Sequence, residues 1–117
     1  MDTGFKEASP SAVERRRRPR YLFSLAMTIR SADGLAMHGI SVEISESGIS
    51  AMVSGLLTPG DTVELEPVAG GRMPAVVRHK LGRLYGFEFV GLSAEQAGRI
   101  AENCERLGKY HSQTRGA

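Results

Sequence analysis

The 117-residue sequence lacks the features typical of disulfide-bonded, membrane-spanning and secreted proteins. It has one cysteine, Cys104, so it has no disulfide framework, which fits a reducing cytoplasm. No apolar run approaches the length of a transmembrane helix, and the first thirteen residues have no apolar core of a secretory signal. These absences predict a cytoplasmic protein with no membrane insertion.

Patterns that would indicate a metal site or a catalytic centre are also missing. His38, His79 and His111 have no metal-ligand spacing and no accompanying cysteine pair. No Walker lysine follows the glycines, and no nucleophile, base and orienting group can be placed together. We therefore expect no enzymatic activity and no cofactor.

Excess positive charge is confined to one short segment. Residues 14–20 hold five arginines and one glutamate, whereas the rest of the chain has ten Lys or Arg against twelve Asp or Glu. Nucleic-acid-binding domains usually spread basic residues over a face or along a helix. The body of this chain has neither a basic nor an aromatic stripe, so we expect no specific nucleic-acid binding.

The chain is long enough for one domain, which we place at residues 14–110 between flexible tails at residues 1–13 and 111–117. Short alternating segments separated by turn signals predict six strands. Asp33-Gly34 is a hairpin signal after the first strand. The strands are expected around residues 21–29, 40–45, 49–53, 63–67, 73–80 and 84–90.

A helix is predicted to close the domain. Ser93 and Gln96 form a capping-box pair, and Gly108 is a predicted stop. The apolar stripe of this helix consists of Ala97, Ile100, Ala101, Cys104 and Leu107. The predicted fold is all-β with a C-terminal helix, a six-stranded antiparallel β-barrel, since closure removes exposed strand edges.

The arginine segment "RRRRPRY" is the first candidate site. Arg16 and Arg20 are four residues apart and project to the same side in an extended chain or a helical turn. Pro19 disfavours a helix at the residue before it. Guanidinium groups bind phosphate bidentately and lie over aromatic rings, so the pair suits a ligand with both phosphates and bases. The alternative is a solvated basic arm that binds polyanions loosely.

The second candidate site is "EISESG", residues 43–48. The alternation predicts two faces for this strand, Ile40, Val42 and Ile44 on one and Ser41, Glu43 and Ser45 on the other. We expect Glu43 and Ser45 on the outer surface, where a carboxylate accepts two donors from a guanine edge. Gly48 permits a positive φ or a close backbone approach. Alternatively, Glu43 pairs with an arginine of the arm, and Ser45 and Gly48 only form the turn.

Together these two segments resemble the PilZ domain family. The family signature is RxxxR before the first strand and [DN]xSxxG in the second strand and turn, and here Arg16, Arg20, Ser45 and Gly48 match it. The resemblance covers roughly residues 14–108, including "RLYGFEFVGLSAEQ" near the end. It implies a six-stranded barrel that acts as a bacterial receptor for the second messenger cyclic di-GMP.

The resemblance also implies a role for each matched residue. Arg16 and Arg20 would hold phosphates and stack on guanine, Glu43 would contact the base, and Ser45 and Gly48 would support it. Arg15 and Arg17 would assist the arginine pair. Binding would reorder the arm and relay the signal to an unidentified protein partner.

Two alternatives stay open, and the first of them follows from one departure from the family signature. Glu43 stands where the family has Asp or Asn, so its carboxylate reaches roughly 1.5 Å farther on standard bond lengths. The first alternative is therefore an adaptor that binds no nucleotide and contacts another protein. The second is a nucleic-acid-binding barrel with a basic arm.

Overall fold

The computed structural model describes residues 19–67 and 71–116, with side chains as far as Lys109. Arg15, Arg16, Arg17 and the predicted tail at residues 1–13 lie outside this part of the chain. Within it, seven strands precede one helix. Their bounds are β1 Tyr21–Leu22, β2 Ala26–Ser31, β3 Ala36–Ile44, β4 Gly48–Val53, β5 Thr62–Pro67, β6 Met73–Leu81, β7 Leu84–Phe89 and α1 Ala94–Gly116.

The strands form one closed antiparallel barrel. The hydrogen-bonded order is β1-β3-β2-β5-β6-β7-β4, and β3 also pairs with β4. Six strands, β2 to β7, therefore complete the ring, and the two-residue β1 adds to the end of β3. The six-stranded barrel predicted from the sequence is confirmed, with one short extra strand.

The barrel interior is filled by inward-facing apolar residues of β2 to β7. The fully enclosed side chains include Ile29, Leu65, Val77 and Tyr85. Tyr85 keeps its hydroxyl satisfied, because the backbone N–H of Leu57 donates a 3.0 Å hydrogen bond to it. This pattern explains why period-two alternation could predict six barrel strands, although not all their bounds and faces.

The segment predicted as one first strand is interrupted. Residues 23–25 bulge between β1 and β2, and the buried Ser41 side chain fills the break. Its Oγ accepts a 2.8 Å hydrogen bond from the backbone N–H of Leu25 and donates to the carbonyl of Phe23. The hydroxyl thus satisfies backbone groups that the interrupted ladder leaves unpaired.

The face assignment predicted for β3 is wrong over its middle. Ile40 and Val42 face outward, whereas Gly39 and Ser41 are buried. Gly39 is small because a Cβ there would lie 2.5 Å from Cδ1 of Ile29. A register shift between Ser41 and Glu43 then turns Ile44 inward.

Helix α1 begins as predicted and continues past its predicted end. The Gln96 N–H donates to Ser93 Oγ, and the Ser93 N–H donates to Gln96 Oε1, both at 3.1 Å, which completes the capping box. Ile100 and Cys104 are buried against the barrel. The helix runs through Gly108 to Gly116, so the stop predicted at Gly108 is wrong. Gly108 instead lies against Tyr21, whose hydroxyl would be 3.2 Å from an added Cβ. Flexibility of residues 111–117 stays a prediction.

Candidate ligand groove on the barrel wall

A groove open to solvent lies on the outer wall of the barrel. Counted out to its mouth, with the open solvent there included, it encloses about 610 Å³. Residues from the arm, the β3–β4 turn and strands β3, β4, β6 and β7 line it. Four of the sequence-predicted residues lie on its wall: Arg20, Glu43, Ser45 and Gly48.

The floor of this groove is a row of residues that are neighbours across the sheet. Glu43 on β3 pairs with Ser50 on β4, Ser50 pairs with Gly86 on β7, and Gly86 pairs with His79 on β6. Side chains of paired residues point to the same face. We call these four residues the groove row. The His79 side chain lies against Gly86 in the middle of the row, since an added Cβ would lie 3.3 Å from Cδ2 of His79.

Arg20 and Glu43 supply opposite charges at one end of the groove. Arg20 is exposed just before β1, and Glu43 is half-buried where β3 meets β1. Within residues 19–67 and 71–109 neither side chain forms an ion pair. Their hydrogen-bonding groups are therefore available to a ligand, as far as that part of the chain is concerned.

Ser45 has a different position from the one predicted. It is 7% exposed rather than part of the outer surface, and it shapes the β3–β4 turn. The Ser45 N–H donates to the Gly48 carbonyl at 2.9 Å, and the Ser47 N–H donates to Ser45 Oγ at 3.2 Å. Ser45 thus organises the groove wall from within.

Gly48 is required by a close backbone approach. An added Cβ would lie 2.1 Å from the carbonyl oxygen of Phe87 on β7, a contact that no side chain can make. Its φ does not lie in the left-handed region. Of the two predicted reasons for this glycine, the close approach is therefore the one that the structure shows.

The groove also contains residues that sequence reasoning missed. Arg78 and Glu88 line it and form an ion pair, with Arg78 Nε 2.6 Å from Glu88 Oε1. Ser50, His79 and Gly86 complete the groove row. The sequence feature that could have pointed to these residues is Gly86, because a glycine between Tyr85 and Phe87 interrupts an alternating strand. The pairing of β7 with β4 cannot be derived from local spacing.

Behind the turn, Cys104 of α1 is a core residue, as predicted. Burial raises the pKa of its thiol, and the negative charge of Glu46 adds to the rise. The thiol is therefore held in its neutral form and contributes packing rather than chemistry.

Comparisons with known proteins agree with this architecture. The family model "PilZ domain" matches residues 14–106, and the chain therefore belongs to the PilZ domain family. No match was found among curated protein sequences. Within the described residues, no helix is both long and apolar enough to cross a membrane.

Three solved structures share the fold at low sequence identity. The PilZ domain of YcgR from Escherichia coli, solved with c-di-GMP, has a TM-score of 0.69 at 14% identity, with 87% of this chain and 98% of that chain covered. The PilZ domain of CeSA from a cellulose-synthesising bacterium has a TM-score of 0.63 at 17% identity, covering 77% and 98%. The Bacillus subtilis inhibitor of motility MotI/DgrA has a TM-score of 0.65 at 20% identity, covering 79% of this chain and 50% of that one.

Proposed function

We propose that this protein is a cytoplasmic receptor that binds cyclic di-GMP in the groove on the barrel wall. The observation that carries the proposal is the groove row, with Glu43 in the row and Arg20 beside it. One ligand with guanine edges and phosphates satisfies both groups. The PilZ domain of YcgR was solved with c-di-GMP, and the shared fold supports the same class of ligand here.

Each group of the groove has a proposed task. The Glu43 carboxylate accepts N–H groups of a guanine edge, and Arg20 binds phosphate through paired charge-assisted hydrogen bonds. Gly86 and the His79 side chain packed against it form the floor on which a flat base is proposed to lie. Arg16, the other arginine of the motif, is proposed to act with Arg20, assisted by Arg15 and Arg17. The proposed binding makes and breaks no covalent bond, so the proposed role is not enzymatic.

The proposed relay is reordering of the arginine arm. Neighbouring arginines repel one another, and an anionic ligand reduces that repulsion when it lies between the arm and the barrel. Charge-assisted hydrogen bonds and stacking then offset the loss of chain entropy. NMR relaxation of residues 11–20, with and without nucleotide, tests this step, and unchanged mobility in the saturated complex would contradict it.

Titration calorimetry with cyclic di-GMP tests the proposal. We expect saturable binding to the wild type and its loss in Arg20→Ala and in Gly86→Leu, whose side chain displaces His79 from the floor of the groove. Arg99→Ala and Gly98→Leu are matched controls on the exposed face of α1, where no atom lies within 4 Å of an added Cβ at Gly98. Absence of heat with folded wild type, or full binding by Gly86→Leu, would overturn the assignment.

The alternative function is an adaptor that binds a protein and no nucleotide. The residue that favours it is Glu43, because a carboxylate one methylene farther out than that of Asp would repel a ligand phosphate. The same titration separates the two functions. A nucleic-acid-binding barrel would instead bind polynucleotides with an affinity that falls steeply with salt, and cyclic di-GMP would not compete.

A further inference from the structure

A second row of residues on the outer wall is entirely apolar. Ala26 pairs with Ile40, Ile40 with Met52, Met52 with Leu84, and Leu84 with Leu81. Five side chains on five strands therefore share the outer face. Ile40 is 55% exposed, Met52 45% and Leu81 77%. We call these five residues the apolar row.

This row is continuous, unlike the scattered surface apolar residues of most proteins. Single exposed hydrophobic residues need no explanation, whereas a contiguous exposed patch marks an interaction site. Leu35 and Leu56 are just as exposed but do not pair across the sheet with any member of the row. Pairing across neighbouring strands, rather than exposure alone, distinguishes the apolar row.

An arginine and a histidine flank the row. Arg83 is exposed in the turn that joins Leu81 to Leu84, and the exposed His38 lies two residues from Ile40 on the same face of β3. On the other side the row borders the groove row, with Ser50 two residues from Met52.

We propose that the apolar row docks an amphipathic helix of a partner protein with acidic residues beside its apolar stripe. Ile40, Met52 and Leu84 lie on three adjacent strands and span two strand spacings, about 10 Å. Seven residues of an α-helix rise about the same distance. Apolar side chains at positions i, i+3 or i+4, and i+7 of such a helix thus meet these three residues in order.

The size of the row favours a reversible partner over a second copy of this chain. A stable interface engages roughly 20–30 residues on each side, far more than five. Two copies would also bring their Arg83 side chains toward the same small interface. An acidic helix complements that charge instead. The inference is independent of nucleotide binding, because it uses neither Arg20 nor the groove row.

A defined peptide tests the proposal. The probe is an 18-residue capped helix with leucines at i, i+3, i+4 and i+7 and glutamates beside them, added to full-length protein while methyl signals of Ile40, Met52, Leu81 and Leu84 are followed by NMR. We expect saturable shifts at these methyls. Met52→Thr should weaken the affinity at least tenfold, whereas Leu56→Thr should leave it unchanged.

Charge and occupancy are tested separately. Arg83→Glu should lower the affinity for the acidic peptide, whereas Arg99→Glu on α1 should leave it unchanged. A peptide with lysine in place of glutamate should bind the wild-type protein more weakly than the acidic peptide does. Absence of shifts, or equal binding by Met52→Thr, would overturn the proposal. Evidence for another occupant of the apolar row would also overturn it. Concentration-dependent methyl shifts would indicate a second copy of the chain, and NOEs from residues 1–18 to the row in free protein would indicate that segment. Binding of phosphatidylglycerol vesicles alone would indicate a membrane.

Discussion

At the scale of the residue, the proposed function makes the length of the Glu43 side chain decisive for how well the groove would suit a guanine. Its backbone is held between Leu22 and Ser50, so the reach of the carboxylate depends on side-chain length alone. One extra methylene moves the acceptor oxygens by roughly 1.5 Å. That displacement is about half the length of a hydrogen bond, which is large for a bidentate contact.

We therefore expect Glu43→Asp to bind cyclic di-GMP about three- to tenfold more tightly than the wild type, equivalent to roughly 1 kcal/mol. Glu105→Asp makes the same chemical change on the exposed side of α1 and should leave affinity unchanged. Calorimetry measures both, with unfolding curves to confirm that each variant is folded. Weaker binding by Glu43→Asp would show that the signature position does not transfer to this chain.

Single residues were predictable from the sequence to very different degrees. Glu43 could be placed because a charged residue in an apolar strand must find an outer face. The inward position of Ser45 could not, because its burial depends on hydrogen bonds within the turn. Arg78 and His79 enter the groove only through the pairing of β6 with β7, which no local spacing reveals.

At the scale of the element, the break between β1 and β2 depends on one hydroxyl. Ser41→Ala removes the acceptor for Leu25 N–H and the donor to the Phe23 carbonyl. Leaving such groups unsatisfied costs about 1–3 kcal/mol of the free energy of unfolding. Ser54→Ala removes an exposed hydroxyl that accepts from His38 N–H, and should cost less than about 0.5 kcal/mol.

Urea unfolding of the two variants measures this difference. The barrel should lose stability in Ser41→Ala with an unchanged dependence on urea, because the surface exposed on unfolding is the same. Equal stability of Ser41→Ala and Ser54→Ala would mean that the bulge at residues 23–25 finds other hydrogen-bond partners.

Element boundaries were predictable where a local interaction sets them. The start of α1 is determined by the reciprocal bonds of Ser93 and Gln96, which are visible as a sequence pattern. Its passage through Gly108 is determined by packing against Tyr21, more than eighty residues earlier in the chain. The outward turn of Ile40 likewise follows from the fit of Gly39 against Ile29.

At the scale of the whole molecule, closure of the barrel is what creates both rows on the outer wall. β4 reaches β7 and β3 at once, so residues distant in sequence become lateral neighbours. Alternation could predict six strands and a closed sheet. It could not predict which outward residues align, because alignment depends on the bulges in β3 and β6.

The seam between β2 and β5 should make the stability of the barrel depend on acid. Arg30 Nε lies 3.0 Å from Glu66 Oε1, and Arg72 Nε lies 3.4 Å from Glu66 Oε2. The hydrogen bond from Arg30, followed by that from Arg72, lowers the pKa of Glu66 below its usual value. A carboxyl whose pKa is depressed by folding stabilises the folded state above its unfolded pKa, and this contribution disappears as pH falls through the folded pKa.

We therefore expect the urea midpoint to fall between pH 6 and pH 3, and to fall less in Glu66→Gln than in the wild type. The effect is small because the ion pairs are exposed to solvent and screened by salt. Glu105→Gln, on the exposed side of α1, should retain the full wild-type fall. If Glu66→Gln shows the same fall as the wild type, protonation of other carboxyls accounts for acid unfolding and the seam contributes nothing. A smaller fall of the urea midpoint in Glu66→Gln alone would assign part of the acid sensitivity to the pairing of β2 with β5. This pairing lies away from the groove, because β2 and β4 flank β3 on opposite sides.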